Sequence, residues 1–512
     1  MMSQIEQHVY RYSKAPIWEL QRAYYEEQGI GAWQGDEVPS YITSNPLLAA
    51  SYAEMIFGFL QDRARLGDTS ETVTILELGA GSGRLAFHIM KELSELTAYA
   101  GIPIPPYRYV MSDLATGNVA FWQQHPGLIP FVEQGVLDFA VFDAVEDTEL
   151  ILTQSGIRIR EGDLQQPLFI VANYFFDSIP QELIYVEDNQ IYECLVAMEL
   201  PEHAAQLSAS DKLKQIACEY QYRKSAEYEQ QSYRYRVLME LYAAKLEDSH
   251  VLFPEAGLRC LERLGQFSQE GFLLLTADKG DHRLESWEYN EPPELIHHGS
   301  FSLTANYHAI STYFEHNGAL SLFTQHAYHH LNVGCILMLA EPLSYGHSRL
   351  AYRRFIEQFG PDDFITVKEW LDPYAPVLNI PEMLAFWRLS GYDTQFFLQN
   401  SKRLAELLIS GEEADFGGIA QGIALMWRGY YPLDITHHLA LESASLLYGM
   451  EMFQEALPYY LLTLKTYEDV SILYEMAICY YELNEAEKSK EFAQRTLAYD
   501  SIHEGALALL NL

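Results

Sequence analysis

The stretch TVTILELGAGSGRL, residues 72–85, constrains the fold more than any other part of the chain. An apolar run from Val73 to Leu78 leads into glycines at alternate positions, Gly79, Gly81 and Gly83, and a helix-forming segment follows. Such a turn bends sharply and lets backbone approach a ligand, because no side chain blocks either. The N–H groups at the start of the next helix then face whatever is bound. Dinucleotide-binding loops follow the spacing GxGxxG. Here the place of the third glycine is taken by Arg84, and no P-loop Lys-Ser/Thr follows. The pattern is instead ExGxGxG, beginning at Glu77.

From about residue 72 to 345, short apolar runs alternate with amphipathic segments, which predicts an α/β sheet. Seven candidate strands stand out, at 72–79, 107–113, 137–144, 167–175, 271–280, 319–328 and 332–341. The expected fold is therefore a seven-stranded, Rossmann-like α/β sheet with helices on both faces. Residues 1–71 are expected to form a helical segment that contributes to a ligand site, and 72–345 the catalytic domain. Residues 189–262 interrupt that domain with a polar, charged, Tyr-rich insertion of mostly helical character, entered through a hairpin that turns at Asp188 and Asn189. The sequence leaves a lid and a dimer surface both open for the insertion; its departure from the sheet near the carboxyl edge favours a lid. Residues 346–430 read as a helical bridge. In 431–512, YGMEMFQEALPYYLLTLKTYED aligns with YELNEAEKSKEFAQRTLAYD at an offset of 33. Tyr448 then matches Tyr481, Ala456 matches Ser489, and Leu464 matches Leu497. That period is close to the roughly 34 residues of tetratricopeptide repeats, and a plain helical bundle is the alternative.

Composition narrows the function classes. At 512 residues the chain is too long for one ordinary core. Its net charge of −38 argues against nucleic-acid backbone or anionic lipid as partners. It leaves basic partners, or simply a solvated acidic surface. The cysteines, Cys194, Cys218, Cys260, Cys335 and Cys479, have no CxxC spacing and read as reduced, mostly buried thiols rather than a zinc site. The N-terminus has no apolar core of a secretory signal, and the longest apolar run, 334–341, is too short to cross a bilayer. A cytoplasmic protein is expected, with no metal and no membrane partner; homo-oligomers are compatible with the sequence.

The ExGxGxG turn resembles motif I of class I S-adenosylmethionine-dependent methyltransferases, in which the loop lies along the methionine part of the cofactor. On that resemblance the second strand ends in Asp113, a carboxylate able to accept from both ribose hydroxyls. Asp143, after the third strand, is placed to meet the adenine amino group. The fourth strand ends in VANYFFDSIP, 171–180, where polar residues beside aromatics suit an acceptor held against a sulfonium. A surface acid at a strand end is the bland alternative for each carboxylate.

Three segments, YITSNPLLAASYAEMIFGFL at 41–60, LELGAGSGRL and VANYFFDSIPQELI at 171–184, together resemble successive motifs of the MidA-like methyltransferases. FPEAG, GFLLLTADKG and SFSLTANYHAI are similar to the later ones, so the resemblance spans roughly residues 15–345. The family includes a mitochondrial protein that methylates an arginine of a respiratory complex I subunit. The resemblance implies S-adenosylmethionine as cofactor, held by Thr43, Ser44, Glu77, Gly79, Gly81, Gly83, Asp113, Asp143 and Asn173. It implies that Asp177, Asn173 and Tyr174 orient the acceptor. The sequence also departs from the family pattern. Tyr174 stands where the family has Glu, and Asn306 and His308 stand where it tends to have His and Asp. A carboxylate is the natural partner of a guanidinium, so arginine specificity is not carried over. His308 reads as a candidate base or, more ordinarily, a structural histidine. The expected activity is methyl transfer to an acceptor such as a protein side chain, recognised with help from the C-terminal repeats. The alternative is an inactive, cofactor-binding scaffold or assembly protein.

Overall fold

The structure is a computed structural model that describes residues 8–34, 41–67, 69–199, 206–408, 413–433 and 437–511. The first seven residues, part of the segment read for a leader, lie outside the described residues. The chain divides into two compact units, Met1–Thr366 and Val367–Leu512.

All seven expected strands form one sheet in the first unit. They are β1 (Val73–Leu78), β2 (Tyr107–Asp113), β3 (Leu137–Val141), β4 (Leu168–Asn173), β5 (Gly271–Asp278), β6 (Leu320–Leu322) and β7 (Asn332–Leu339). Their order is β6-β7-β5-β4-β1-β2-β3. The pairs among β1 to β5 are parallel, and β7 runs antiparallel to both of its neighbours, β5 and β6. Every residue of β1 is buried, so both faces of the central strand are covered. A strand covered on both faces reads as a continuous apolar run rather than an alternating one, which is why these segments stood out.

Helices position the site around this sheet. α1 (Pro16–Gln28) and α2 (Pro46–Leu66) precede it. Asn45 caps α2 by accepting the Leu48 N–H at 3.0 Å, with Pro46 opening the first turn. α3 (Arg84–Ala100) follows the glycine turn and buries Leu85, Phe87, Ile89, Met90 and Leu93. α4 (Thr116–Gln124) follows β2, α5 (Glu255–Phe267) precedes β5, and α6 (Tyr307–His316) precedes β6.

The insertion differs from its expected helical character. Its core is strand. Gln190–Glu199 pairs with Glu182–Glu187, Ala217–Lys224 and Val9–Arg11, and Ser249–Phe253 pairs with Glu182–Glu187, giving a five-stranded antiparallel sheet. The segment ACEYQYRK is too polar to read as a strand by hydropathy. Its Cys218, Tyr220 and Tyr222 nevertheless alternate along one face, opposite Met198, Val196 and Cys194. The hairpin forms as expected, with Asp188 and Asn189 at φ 50° and 58°.

In the second unit, α7 (His437–Gly449) and α8 (Phe453–Thr463) form one helix pair, and α9 (Val470–Glu482) and α10 (Ala486–Tyr499) the next. The starts of the two pairs lie 33 residues apart, 437 to 470 and 453 to 486. Ala456 and Ser489 occupy equivalent buried places, and Ser489 Oγ donates to the Ala477 carbonyl at 2.9 Å. Glu504–Leu510, α11, begins a third step. Among the described residues, no helix is long and apolar enough to cross a membrane.

Candidate functional site

The carboxyl ends of β1, β2 and β4, the segment after β3 and residues on and around α1 enclose a cavity of about 740 Å³. That size falls within the range of ligand sites.

The glycine turn forms one wall. Gly79, Gly81 and Gly83 have φ of 62°, 54° and 79°, the left-handed region that favours glycine. Gly81 is held from three directions. Its N–H donates to Asp113 Oδ2 at 3.0 Å, and its carbonyl accepts the Trp122 indole N–H at 3.1 Å. A Cβ there would lie 2.8 Å from the Trp33 ring. Trp33 in turn stacks on Tyr25, with ring centroids 6.1 Å apart. Gly79 and Gly81 line the cavity. Gly83 does not; it opens α3, donating its N–H to the Ala80 carbonyl at 2.9 Å.

The three acids behave differently. Asp113 takes the Gly81 N–H on one oxygen and the Ala115 N–H, at 2.9 Å, on the other. Burial pushes its carboxyl up, and these N–H bonds oppose the shift. Asp143 lies on the wall, but its carboxylate is engaged by Arg22 Nη1 at 2.7 Å and by the Val145 N–H at 2.9 Å. Glu77 also reaches the wall and accepts the Tyr109 hydroxyl at 3.0 Å. Burial pushes it up to about 8, the Asp113 charge adds to that, and the Tyr109 hydrogen bond opposes it.

Thr43 and Ser44, on the short helix Tyr41–Ser44, are buried and line the cavity. At the end of β4, Asn173 Oδ1 accepts the Tyr52 hydroxyl at 2.7 Å, and Asn173 Nδ2 has no partner. Tyr174 takes a left-handed φ of 47°, strained for a non-glycine residue, and its hydroxyl is buried without a partner. Asp177 accepts from Ser178 Oγ at 2.7 Å, and burial pushes it up to about 6. His298 Nδ1, also on the wall, is a further buried atom without a partner. Unpaired buried polar atoms are costly, and on this wall Asn173, Tyr174 and His298 each carry one.

Thus every site residue expected from the sequence, except Gly83, lines one cavity. The sequence reading missed Tyr25, Trp33, Arg22 and Lys279 on the wall, and Asp278 behind it. Asp278 alone carried a signal: an acid ending a strand, as Asp113 does.

The two departures at Asn306 and His308 are structural, as the more ordinary reading of His308 has it. Asn306 and His308 are not on the wall. Asn306 caps α6, accepting the Ala309 N–H at 2.8 Å and donating to the Leu252 carbonyl at 2.8 Å. His308 Nδ1 meets the Tyr242 hydroxyl at 3.1 Å, and burial pushes its ring down to about 4. Both residues are structural, and neither shapes the cavity. Only the change at Tyr174 reaches the wall.

No family model and no curated protein matches the chain. Solved structures match loosely. An uncharacterized protein from Burkholderia thailandensis is 16% identical, over 66% of this chain and 90% of that one, with a TM-score of 0.40. A second member of its superfamily from that organism, bound to S-adenosyl-homocysteine, is 14% identical, over 68% and 91%, with a TM-score of 0.42. A SAM-dependent methyltransferase from Aquifex aeolicus is 10% identical, over 60% and 97%, with a TM-score of 0.22. Likenesses at these scores carry no argument for this chain, whose functional reading rests on its own sheet and cavity.

Proposed function

We propose that the chain is a class I S-adenosylmethionine-dependent methyltransferase acting on a protein side chain. Gly81 carries the reading. Its positive φ, the grip of Asp113 and Trp122, and the Trp33 ring where a Cβ would stand make a backbone cradle at the carboxyl edge of the sheet. The strand order supports it: the dinucleotide order 3-2-1-4-5-6 has no reversed strand between its fifth and sixth members, and this sheet does. The motif resemblance to MidA-like methyltransferases belongs to the same reading.

When bound, S-adenosylmethionine supplies a methyl group on a sulfonium that brings its own leaving group. The chain's residues bind, orient and exclude water. Gly79, Gly81, Asp113, Thr43 and Ser44 hold the cofactor. Asn173, Tyr174 and Asp177 orient the acceptor, and Tyr25 and Trp33 close the cavity over the glycine turn.

The helix pairs of the second unit, read as tetratricopeptide-like repeats, serve acceptor or partner recognition. Their first helices, α7 and α9, contain no Lys or Arg. They carry Glu442 and Glu482 beside the partly exposed Leu441, Tyr448 and Ile478 and the exposed Tyr481, while Glu475 is held by the Tyr460 hydroxyl. Such a face suits a basic, partly apolar segment.

Calorimetric titration with S-adenosylhomocysteine, beside a Gly81→Arg control, tests the proposal. Binding that the control loses is expected. An intact protein that does not bind overturns the reading.

A further inference from the structure

Asp278 ends β5, is fully buried and lies behind the cavity wall rather than on it. Its Oδ2 accepts the N–H groups of Phe176 and Asp177 at 3.1 and 3.3 Å. These bonds hold the turn that follows the strained Tyr174. Its Oδ1 has no donor. Beside this carboxyl lies another acid, Asp177, whose backbone N–H it accepts and whose own carboxyl pairs with it, only 3% exposed and on the cavity wall.

Two ionised carboxylates only accept hydrogen bonds, so neither can satisfy the other. Two adjacent buried negative charges also repel, with little water to screen them. One proton between the two groups removes both difficulties. Besides the two N–H groups on Asp278 and the Ser178 hydroxyl on Asp177, a single cation faces Asp177, which suits one charge rather than two. Lys279 is the cation facing Asp177. Tyr25, Tyr52, Tyr174, Tyr307 and Tyr328 also face the pair, and burial pushes each phenol up, so they stay neutral. Burial likewise pushes both carboxyls up, Asp278 further than Asp177.

We infer that Asp278 is a positioning residue that shares a single proton with Asp177, fixes the Phe176–Asp177 backbone and leaves the cavity wall with one negative charge, at Asp177. Its use rests on the methyltransferase reading: that charge can face a cation or take up a proton from an O–H or N–H group docked against it. The pairing itself does not depend on that reading.

Infrared spectroscopy of the full chain tests it, with aspartate labelled by carbon-13 at the side-chain carboxyl to separate it from Glu77. At pH 7 the wild type is expected to show a protonated aspartic-acid band, because an isolated Asp, with a pKa of about 3.9, is ionised there. Asp278→Asn keeps an oxygen for the two N–H groups and is expected to lose the band. A wild type without the band overturns the proposal, as does a variant that keeps it. Should the variant not fold, titration of the wild-type band alone decides. S-adenosylhomocysteine binding is measured on the same samples, with the variant expected within about threefold of wild type, since Asp278 does not line the cavity. A band without binding sinks the methyl-donor reading and spares the pair. Binding without a band does the reverse.

Discussion

Glu77 shows how one residue can serve a site and burden the fold. Its carboxyl rises to about 8 in the folded chain, against 4.5 as the ordinary value. Between those values the unfolded chain ionises Glu77 while the folded chain holds its proton, so the unfolded state binds fewer protons and stability falls as pH rises. Glu77→Gln should therefore flatten the loss of stability between about pH 5 and 8, as read by chemical denaturation at several pH values. A variant whose stability declines as steeply as the wild type would show that Glu77 is not the source. The leading Glu of ExGxGxG was legible as a position, but its partner was not. Tyr109 is 32 residues away and meets it only because β1 and β2 are adjacent parallel strands. The departures at Asn306 and His308 gave no guide to the acceptor for a related reason. Motif matching places a residue in a segment without saying which way its side chain points, and here both point into the packing around α6.

At the scale of elements, the inner strands β1, β4, β5 and β7 were legible because each is an apolar run almost wholly buried on both faces, whereas the edge strand β6 is only half-buried. The insertion sheet was legible only in its hairpin, because Ala217–Lys224, the strand that extends it, is polar and mostly exposed. What was legible there was the turn. Asp188 and Asn189 both sit at positive φ in a two-residue loop between Glu187 and Gln190. Asn189→Gly should raise stability by about 0.5 kcal/mol, and Asn189→Val should lower it by about 1 kcal/mol or more, because a β-branched residue resists this conformation. Thermal unfolding of both variants checks the pair of signs. Equal midpoints would mean that the hairpin is not held by its turn.

For the whole molecule, the division at 366/367 assigns every residue of the cavity to the first unit. A chain ending at residue 377 keeps the helix Pro361–Leu371 whole. It should bind S-adenosylhomocysteine within about threefold of the full chain while losing affinity for a basic protein segment. Loss of cofactor binding in the shortened chain would mean that the second unit supports the cavity. The 33-residue spacing of the helix pairs was legible because each pair must bury the same small and large residues in the same order. What a repeat surface binds is set by exposed side chains, on which that period places no such demand.

The Trp33 ring over Gly81 has one more consequence. An indole's emission depends on the polarity and the quenchers around it. This ring rests on the glycine turn of the cavity wall, with the Trp122 indole bonded to the carbonyl of the same glycine. The protein thus carries intrinsic fluorophores at its own cradle, and occupancy can be followed by light, in real time and without a label.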